Sequence, residues 1–178
     1  MNVYEAAEAP EIAEFGPASG LAVSGQGEPG GAAYSASVAA LYAVMGALDA
    51  PMVPLEGRWW VEDERSPFDV PREEWRWHLF LRLTGDVAPG AVERAREAVR
   101  PGVPSAARVQ QVTFTDGRCV QILHSGPYSD EPASLARMDK LMKDEGLVPN
   151  GLHHEVYLTD PREEDPEKIR VILRQPVR

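Results

Sequence analysis

A single cysteine, Cys119, serves all 178 residues. No internal disulfide can form, which fits a reducing compartment, and a cytoplasmic protein is expected. No run of 18 apolar residues occurs, so the sequence offers no membrane-spanning helix. The opening stretch MNVYEAAEAPEIAEF lacks a basic patch followed by an apolar run, so it does not read as a secretory signal. Basic residues are outnumbered, 18 Lys and Arg against 28 Asp and Glu, for a net charge of -10. That balance disfavours nucleic acid and anionic membranes as partners and favours cationic or neutral ligands.

Several chemistries are missing as well. The glycine-rich stretch GQGEPGG, residues 25–31, has no Lys-Ser/Thr ending and does not match the dinucleotide fingerprint, so it reads as a turn before a helix. His78 and His124 lie far apart in the sequence. His153 and His154 are adjacent and point to opposite faces of a strand, so no zinc spacing arises and hydrogen-bonding roles are expected. No Ser-His-Asp pattern or nucleophile elbow is present. Cys119 sits mid-strand beside Val120 and Ile122, as a buried, inert thiol would. Nothing calls for a metal or a cofactor.

What the chain does contain is a repeated order of elements. Residues 1–18 read as an extended arm and 20–25 as a short strand. A helix over 32–48 carries Tyr34, Val38, Leu41, Tyr42, Met45 and Leu48 at helical spacing. Strands follow over 53–63 and 75–83, separated by a loop at 64–72 holding Ser66-Pro67 and Val70-Pro71. A short helix over 89–100 ends in a Pro/Gly-rich boundary. Residues 110–126 then read as a hairpin turning at Asp116-Gly117. A helix over 131–145 follows, with Asp130 as N-cap, Leu135, Met138, Leu141 and Met142 as its buried stripe, and Gly146 after its end. The strand Leu152–Leu158 and a last strand in KIRVILRQPV complete the chain.

Both halves thus run strand, helix, strand, strand. The expected fold is α+β: one domain of two pseudo-symmetric modules with antiparallel sheet, helices on one side and a ligand cleft between the modules. Lobe one covers about 19–88, a connecting helix 89–104, lobe two about 105–178, and the arm 1–18 precedes them.

Within lobe two, Leu152-His153-His154-Glu155-Val156-Tyr157-Leu158 alternates. Leu152, His154, Val156 and Leu158 share one face. His153, Glu155 and Tyr157 share the other. A half-buried carboxylate is costly unless paired, and such groups concentrate at functional sites. Aromatic residues are only 7% of the chain, yet all four tryptophans, Trp59, Trp60, Trp75 and Trp77, lie on two neighbouring strands. Trp59 and Trp60 point oppositely, so one is expected to face a cleft. Aromatic walls around one carboxylate suit a flat or cationic organic molecule.

The segments GEPGG, ALYAVMGAL, PLEGRWW, CVQILHSGPYSDEP, LHHEVYLTDPR and ILRQPVR together resemble the GyrI-like small-molecule-binding proteins, in the branch without a DNA-binding region. The resemblance runs from about Leu21 to Arg178. It implies two strand–helix–strand–strand modules and places the acid matching Glu155 in the cleft between them. Family members bind lipophilic, often cationic or aromatic compounds. One subfamily hydrolyses the strained cyclopropane of yatakemycin-type DNA-alkylating drugs with an aromatic cage. Its Trp-Trp and His-His-Glu-aliphatic-Tyr segments both occur here. Arg58 in LEGRWW stands where an apolar residue is more usual.

Two functions follow as expectations. One is a protein that captures lipophilic aromatic or cationic xenobiotics, with Trp59, Trp60, Trp77, Tyr42 and His153 as ligand-binding residues. The other is a cyclopropyl hydrolase, with Glu155 orienting water and Tyr128 or Tyr157 donating to the developing oxyanion. A protein partner such as gyrase is a third class. The chain is too short to add a helix-turn-helix to two lobes, and its charge is wrong for DNA.

Overall fold

The computed structural model describes residues 2–65, 67–160 and 162–178. Ser66 of the 64–72 loop and Pro161 of the LHHEVYLTDPR segment lie outside the described residues, as does Met1 of the arm. The elements are β1 (Glu11–Gln26), α1 (Ala32–Ala47), β2 (Leu55–Trp60), β3 (Arg76–Arg82), α2 (Ala91–Val99), β4 (Gln110–Ser125), α3 (Glu131–Asp144), β5 (His153–Tyr157) and β6 (Arg170–Pro176). The order is strand, helix, strand, strand on both sides of α2, an α+β fold. The strands hydrogen-bond in the order β1-β3-β2-β5-β6-β4, and the β1–β3, β4–β6 and β5–β6 pairs are antiparallel.

Three expectations need correction. β1 begins at Glu11, not near residue 20. Its buried positions alternate through Ala13 and Phe15, then slip by one residue at Gly16-Pro17 to continue through Ala18 and Gly20. That slip hides a single strand from a period-two reading. The 110–126 hairpin is one continuous strand, β4. Gly117 takes a φ of +67 inside it, the left-handed conformation a bulge glycine uses, so Asp116-Gly117 bends the strand without reversing it. Asp130 does not cap α3 with its side chain, because a 3-10 turn over Tyr128–Asp130 runs straight into the helix. Gly146, with φ +66, does follow the end of α3.

The chain divides into two units. Unit 1 holds the residues up to Pro17, Pro54–Glu56 and Thr115–Arg178; unit 2 holds Ala18–Val53 and Gly57–Phe114. In unit 2, α1 packs on β3, α2 and a 3-10 turn over Pro104–Arg108. Helix α1 has no charged residue and buries Tyr34, Ser37, Ala40, Leu41, Val44 and Met45. The buried stripe is therefore shifted from the expected one, since Val38 and Tyr42 are only partly covered. Across the β1–β3 ladder Gly25 pairs with Trp77, and a Cβ at Gly25 would fall 2.1 Å from the Trp77 ring. Only glycine admits the indole there.

In unit 1, β6 lies between β4 and β5, with Gln121 and His154 both in register with Arg174. Arg174 is fully buried. Its guanidinium donates to Gln121 Oε1 at 3.0 and 3.2 Å and to the Val3 carbonyl at 3.1 Å, and it lies 3.7 Å over the Phe15 ring. Residues ahead of β1 are held by such bonds, including Leu123 N–H to the Ala7 carbonyl at 2.7 Å. Satisfying the buried cation on several sides is what makes its burial tolerable.

Candidate functional site

β5 separates two polar groups because neighbouring side chains leave a strand on opposite faces. On one face, Glu155 and Tyr157 stand two residues apart. The Tyr157 hydroxyl donates to Glu155 Oε2 at 2.7 Å. His153 Nε2 lies 3.3 Å from Glu155 Oε1. The Glu155 side chain is 15% exposed and that of His153 23%, so the carboxylate is sheltered yet reachable. Tyr128, in the 3-10 turn ahead of α3, is 41% exposed. Burial of its hydroxyl, then the Glu155 and Glu131 carboxylates, push its pKa up to about 12. A phenol held that high keeps its proton at neutral pH and can donate a hydrogen bond to a ligand oxygen. Glu155, Tyr157, His153 and Tyr128, expected from the sequence, all lie in unit 1; Tyr157 and His153 touch the Glu155 carboxylate, whose charge also acts on Tyr128.

On the opposite face, His154 is fully buried with Glu56 and Asp116. Neither acid was singled out from the sequence. Glu56 lies within LEGRWW and Asp116 beside Gly117, and neither position carries a local signal of this pairing. The available signal was His154 itself: a histidine on an otherwise apolar face needs partners.

The four tryptophans lie in unit 2, with Tyr34 and Tyr42. Trp59 stacks on Tyr34 at 6.0 Å and meets Trp75 edge-on at 6.0 Å. Trp77 also meets Tyr34, at 5.8 Å, and its indole N–H donates to the Gly27 carbonyl at 3.2 Å. Trp77 is fully buried, so in this structure it packs the unit. The Tyr42 hydroxyl donates to the Val53 carbonyl at 3.2 Å. Trp60 does leave the other side of β2 from Trp59, as expected. It meets the His78 ring at 4.7 Å, beside Arg58. The Arg58 guanidinium lies 3.8 Å over Phe114 and donates to His78 Nδ1 at 3.1 Å. Burial and the Arg58 charge both lower the His78 pKa, which keeps Nδ1 free to accept. The unusual Arg58 is therefore accommodated by an aromatic face and a neutral imidazole.

The pattern of the GyrI-like small molecule binding domain matches residues 91–178, which include β4, α3, β5 and β6. The crystal structure of an uncharacterized conserved protein from Listeria innocua is 35% identical, over 98% of this chain and 95% of that one, with a TM-score of 0.88. The chain belongs to the GyrI-like family. Two further Listeria innocua structures resemble this GyrI-like chain along its length. One, a hydrolase, is 33% identical over 98% of this chain and 94% of that one, with a TM-score of 0.84. The other, a hydrolase encoded by lin2189, is 34% identical over the same shares, with a TM-score of 0.87. No curated protein matches the sequence. Among the described residues of the GyrI-like chain, no helix is long and apolar enough to cross a membrane, and no group of three or more His, Cys, Asp or Glu could hold a metal ion.

Proposed function

We propose that this small-molecule-binding domain captures lipophilic aromatic or cationic compounds, with Glu155 as their polar anchor. The observation that carries this reading is the Glu155 carboxylate itself: sheltered, oriented by the Tyr157 hydroxyl at 2.7 Å, and flanked by His153. A carboxylate fixed in a poorly solvated place attracts a cation or a donor more strongly than one in water. Tyr128 adds a protonated hydroxyl for a ligand oxygen. The test is binding of the cationic dye rhodamine 6G, followed by fluorescence anisotropy. Glu155→Gln should weaken it about tenfold or more, the size of one charge-assisted contact. Equal affinity in the two proteins would sink the reading. All four tryptophans belong to unit 2. Quenching of their fluorescence by the dye would therefore add Trp59, Trp60 or Trp77 to the residues the ligand perturbs, and weaker dye binding by Tyr42→Phe would add Tyr42.

A second reading is favoured by the two Listeria innocua hydrolases. Here the chain opens a cyclopropane conjugated to a carbonyl, as in yatakemycin-type alkylating drugs. Glu155 accepts a proton from water while the water oxygen bonds to a ring carbon. The strained C–C bond breaks, and its electron pair moves through the conjugated system to the carbonyl oxygen, which then takes up a proton from solvent while Glu155 releases the one it accepted. Tyr128 donates a hydrogen bond to that oxygen, while Tyr157 keeps the carboxylate in place. Incubation with a cyclopropane-bearing alkylator should give a product heavier by one water in the mass spectrum. Glu155→Gln should lower its formation about 100-fold or more, the usual size of general-base assistance, with little change in affinity for the uncharged substrate. Absence of the hydrated product with the wild-type protein would leave the binding reading alone.

A further inference from the structure

We propose that His124 is a positioning residue that fixes the turn carrying Tyr128, by tying the end of β4 to the Pro127 carbonyl and to the first turn of α3. The inference rests on reading Tyr128 as a group that meets the ligand. It comes from a pair of bonds that the binding chemistry does not itself use. His124 is 3% exposed and Ser134 9%. His124 Nε2 lies 3.1 Å from the Pro127 carbonyl oxygen and Nδ1 lies 3.0 Å from Ser134 Oγ.

The chemistry of the partners assigns the protons. A carbonyl only accepts, so Nε2 carries the hydrogen. In the neutral ring Nδ1 is then bare and accepts a hydrogen bond from the Ser134 hydroxyl. One imidazole therefore spans three pieces of backbone: the end of β4, the turn that enters Tyr128, and α3. Two opposed bonds fix the ring in its plane, and the ring fixes the turn. The same Pro127 carbonyl accepts from Asp130 N–H at 2.9 Å, which closes the 3-10 turn holding Tyr128. Gly126, with φ +115, makes the bend between His124 and this turn, and its N–H donates to the Ile169 carbonyl at 3.1 Å. Without the imidazole, the residues linking β4 to α3 keep the Ile169 bond but lose their tie to both elements. Tyr128 would then be free to swing into solvent, away from Glu155 on β5 and Glu131 on α3, the two carboxylates that act on it.

Two substitutions separate position from mere packing. Gln can place its amide N–H near the Nε2 position and keep the bond to Pro127. Asn is too short to reach it. The readout is the titration of the Tyr128 phenol, followed by the ring carbon signals of 13C-tyrosine and assigned with Tyr128→Phe. In wild type and His124→Gln it should stay near about 12. In His124→Asn, with the protein still folded, it should fall toward the ordinary 10 as burial and the Glu155 charge are lost. An unchanged Tyr128 titration in folded His124→Asn would overturn the proposal. If that variant does not fold, the wild-type ring decides: 15N shifts must show a protonated Nε2 and a bare Nδ1, and the opposite tautomer refutes the arrangement. Neither measurement needs a ligand. If wild type fails to bind rhodamine 6G yet Tyr128 shifts as stated, the binding reading fails and the His124 assignment stands. If the dye binds, His124→Asn and Tyr128→Phe should each weaken it by the same factor, about tenfold, and the double variant no further.

Discussion

His154 presents each of its ring nitrogens to a carboxylate: Nδ1 is 2.7 Å from Asp116 Oδ2 and Nε2 is 3.0 Å from Glu56 Oε2. Both nitrogens can donate only if the ring is an imidazolium. The three side chains are 0 to 5% exposed, so the cation and its two acids share a nearly dry space. Arg174, fully buried, pairs with His154 in register on β6. β5 therefore carries a locked charge network on one face and the candidate ligand site on the other.

The charge on His154 makes stability depend on pH. Burial alone lowers its pKa, but hydrogen bonds from the ring to Asp116 and Glu56, and their charges, outweigh burial and hold it above the ordinary 6.5. A group whose folded value is raised contributes stability fully below its unfolded value. That contribution is lost as pH rises through the folded value. Urea denaturation should show stability decreasing from pH 6.5 upward until the folded ring loses its proton. In His154→Gln this part of the slope should vanish, and at and below pH 6.5, where the wild-type ring is charged, the variant should be about 3–5 kcal/mol less stable, because the buried Glu56 and Asp116 carboxylates lose the imidazolium. A wild-type profile flat across that range would show that the ring is neutral.

Gly25 leaves no room for a Cβ against the Trp77 ring. Gly25→Ala would put a methyl carbon 2.1 Å from the indole, which Trp77 can relieve only by breaking its bond to Gly27. The expected loss is about 1–3 kcal/mol or more, as for overpacked cores, read as a fall in the midpoint of thermal unfolding. Gly16→Ala, where nothing lies within 4 Å, serves as the control and should change the midpoint little.

The sequence made the repeated strand–helix–strand–strand order legible because that order depends on local periodicity and on strong stops such as Pro51 and Gly146. It made Glu155 and Tyr157 legible for the same reason: alternation alone puts them on one face. Tyr128 was expected from its chemistry, yet its nearness to Glu155 depends on how the turn after β4 folds. What periodicity could not supply was pairing across distance. Glu56 is 98 residues from His154 and Asp116 is 38 away, so no local pattern joins them. Asp116-Gly117 misled because the same left-handed glycine serves a hairpin turn or a bend within one strand. Only the neighbouring strands decide between the two. For Trp77, strand alternation gives its face but not the glycine lying opposite it, so its close packing on Gly25 is not legible in the sequence.

Cys119 should be silent toward thiol reagents in the folded protein. Burial first, then the Asp116 carboxylate, push its pKa up to about 12, although the nearby Arg174 charge pulls the other way. The nucleophilic thiolate is therefore scarce at neutral pH, and the sulfur is fully buried. Reaction with 5,5'-dithiobis(2-nitrobenzoate) at pH 8 should proceed at the rate of unfolding and become fast only in denaturant. Rapid native labelling would contradict the packing of Ala13, Phe15 and Cys119 into one cluster.

Tyr157 and Glu155 are coupled, and the coupling can be measured. Tyr157 is 6% exposed, and its hydroxyl donates to Glu155 Oε2. Tyr157→Phe keeps the ring packing and removes only that donor, at a stability cost of about 1.5–3 kcal/mol for a bond to a charged acceptor. The same change lets the carboxylate rotate away from its sheltered orientation, so affinity for rhodamine 6G should fall as well. Glu155→Gln removes the charge by another route. If Tyr157 acts on the ligand through Glu155, the double variant binds the dye no more weakly than Glu155→Gln alone. Strictly additive losses would instead mean that Tyr157 touches the ligand independently, and its hydroxyl would then belong with Tyr128 among the donors to a ligand oxygen.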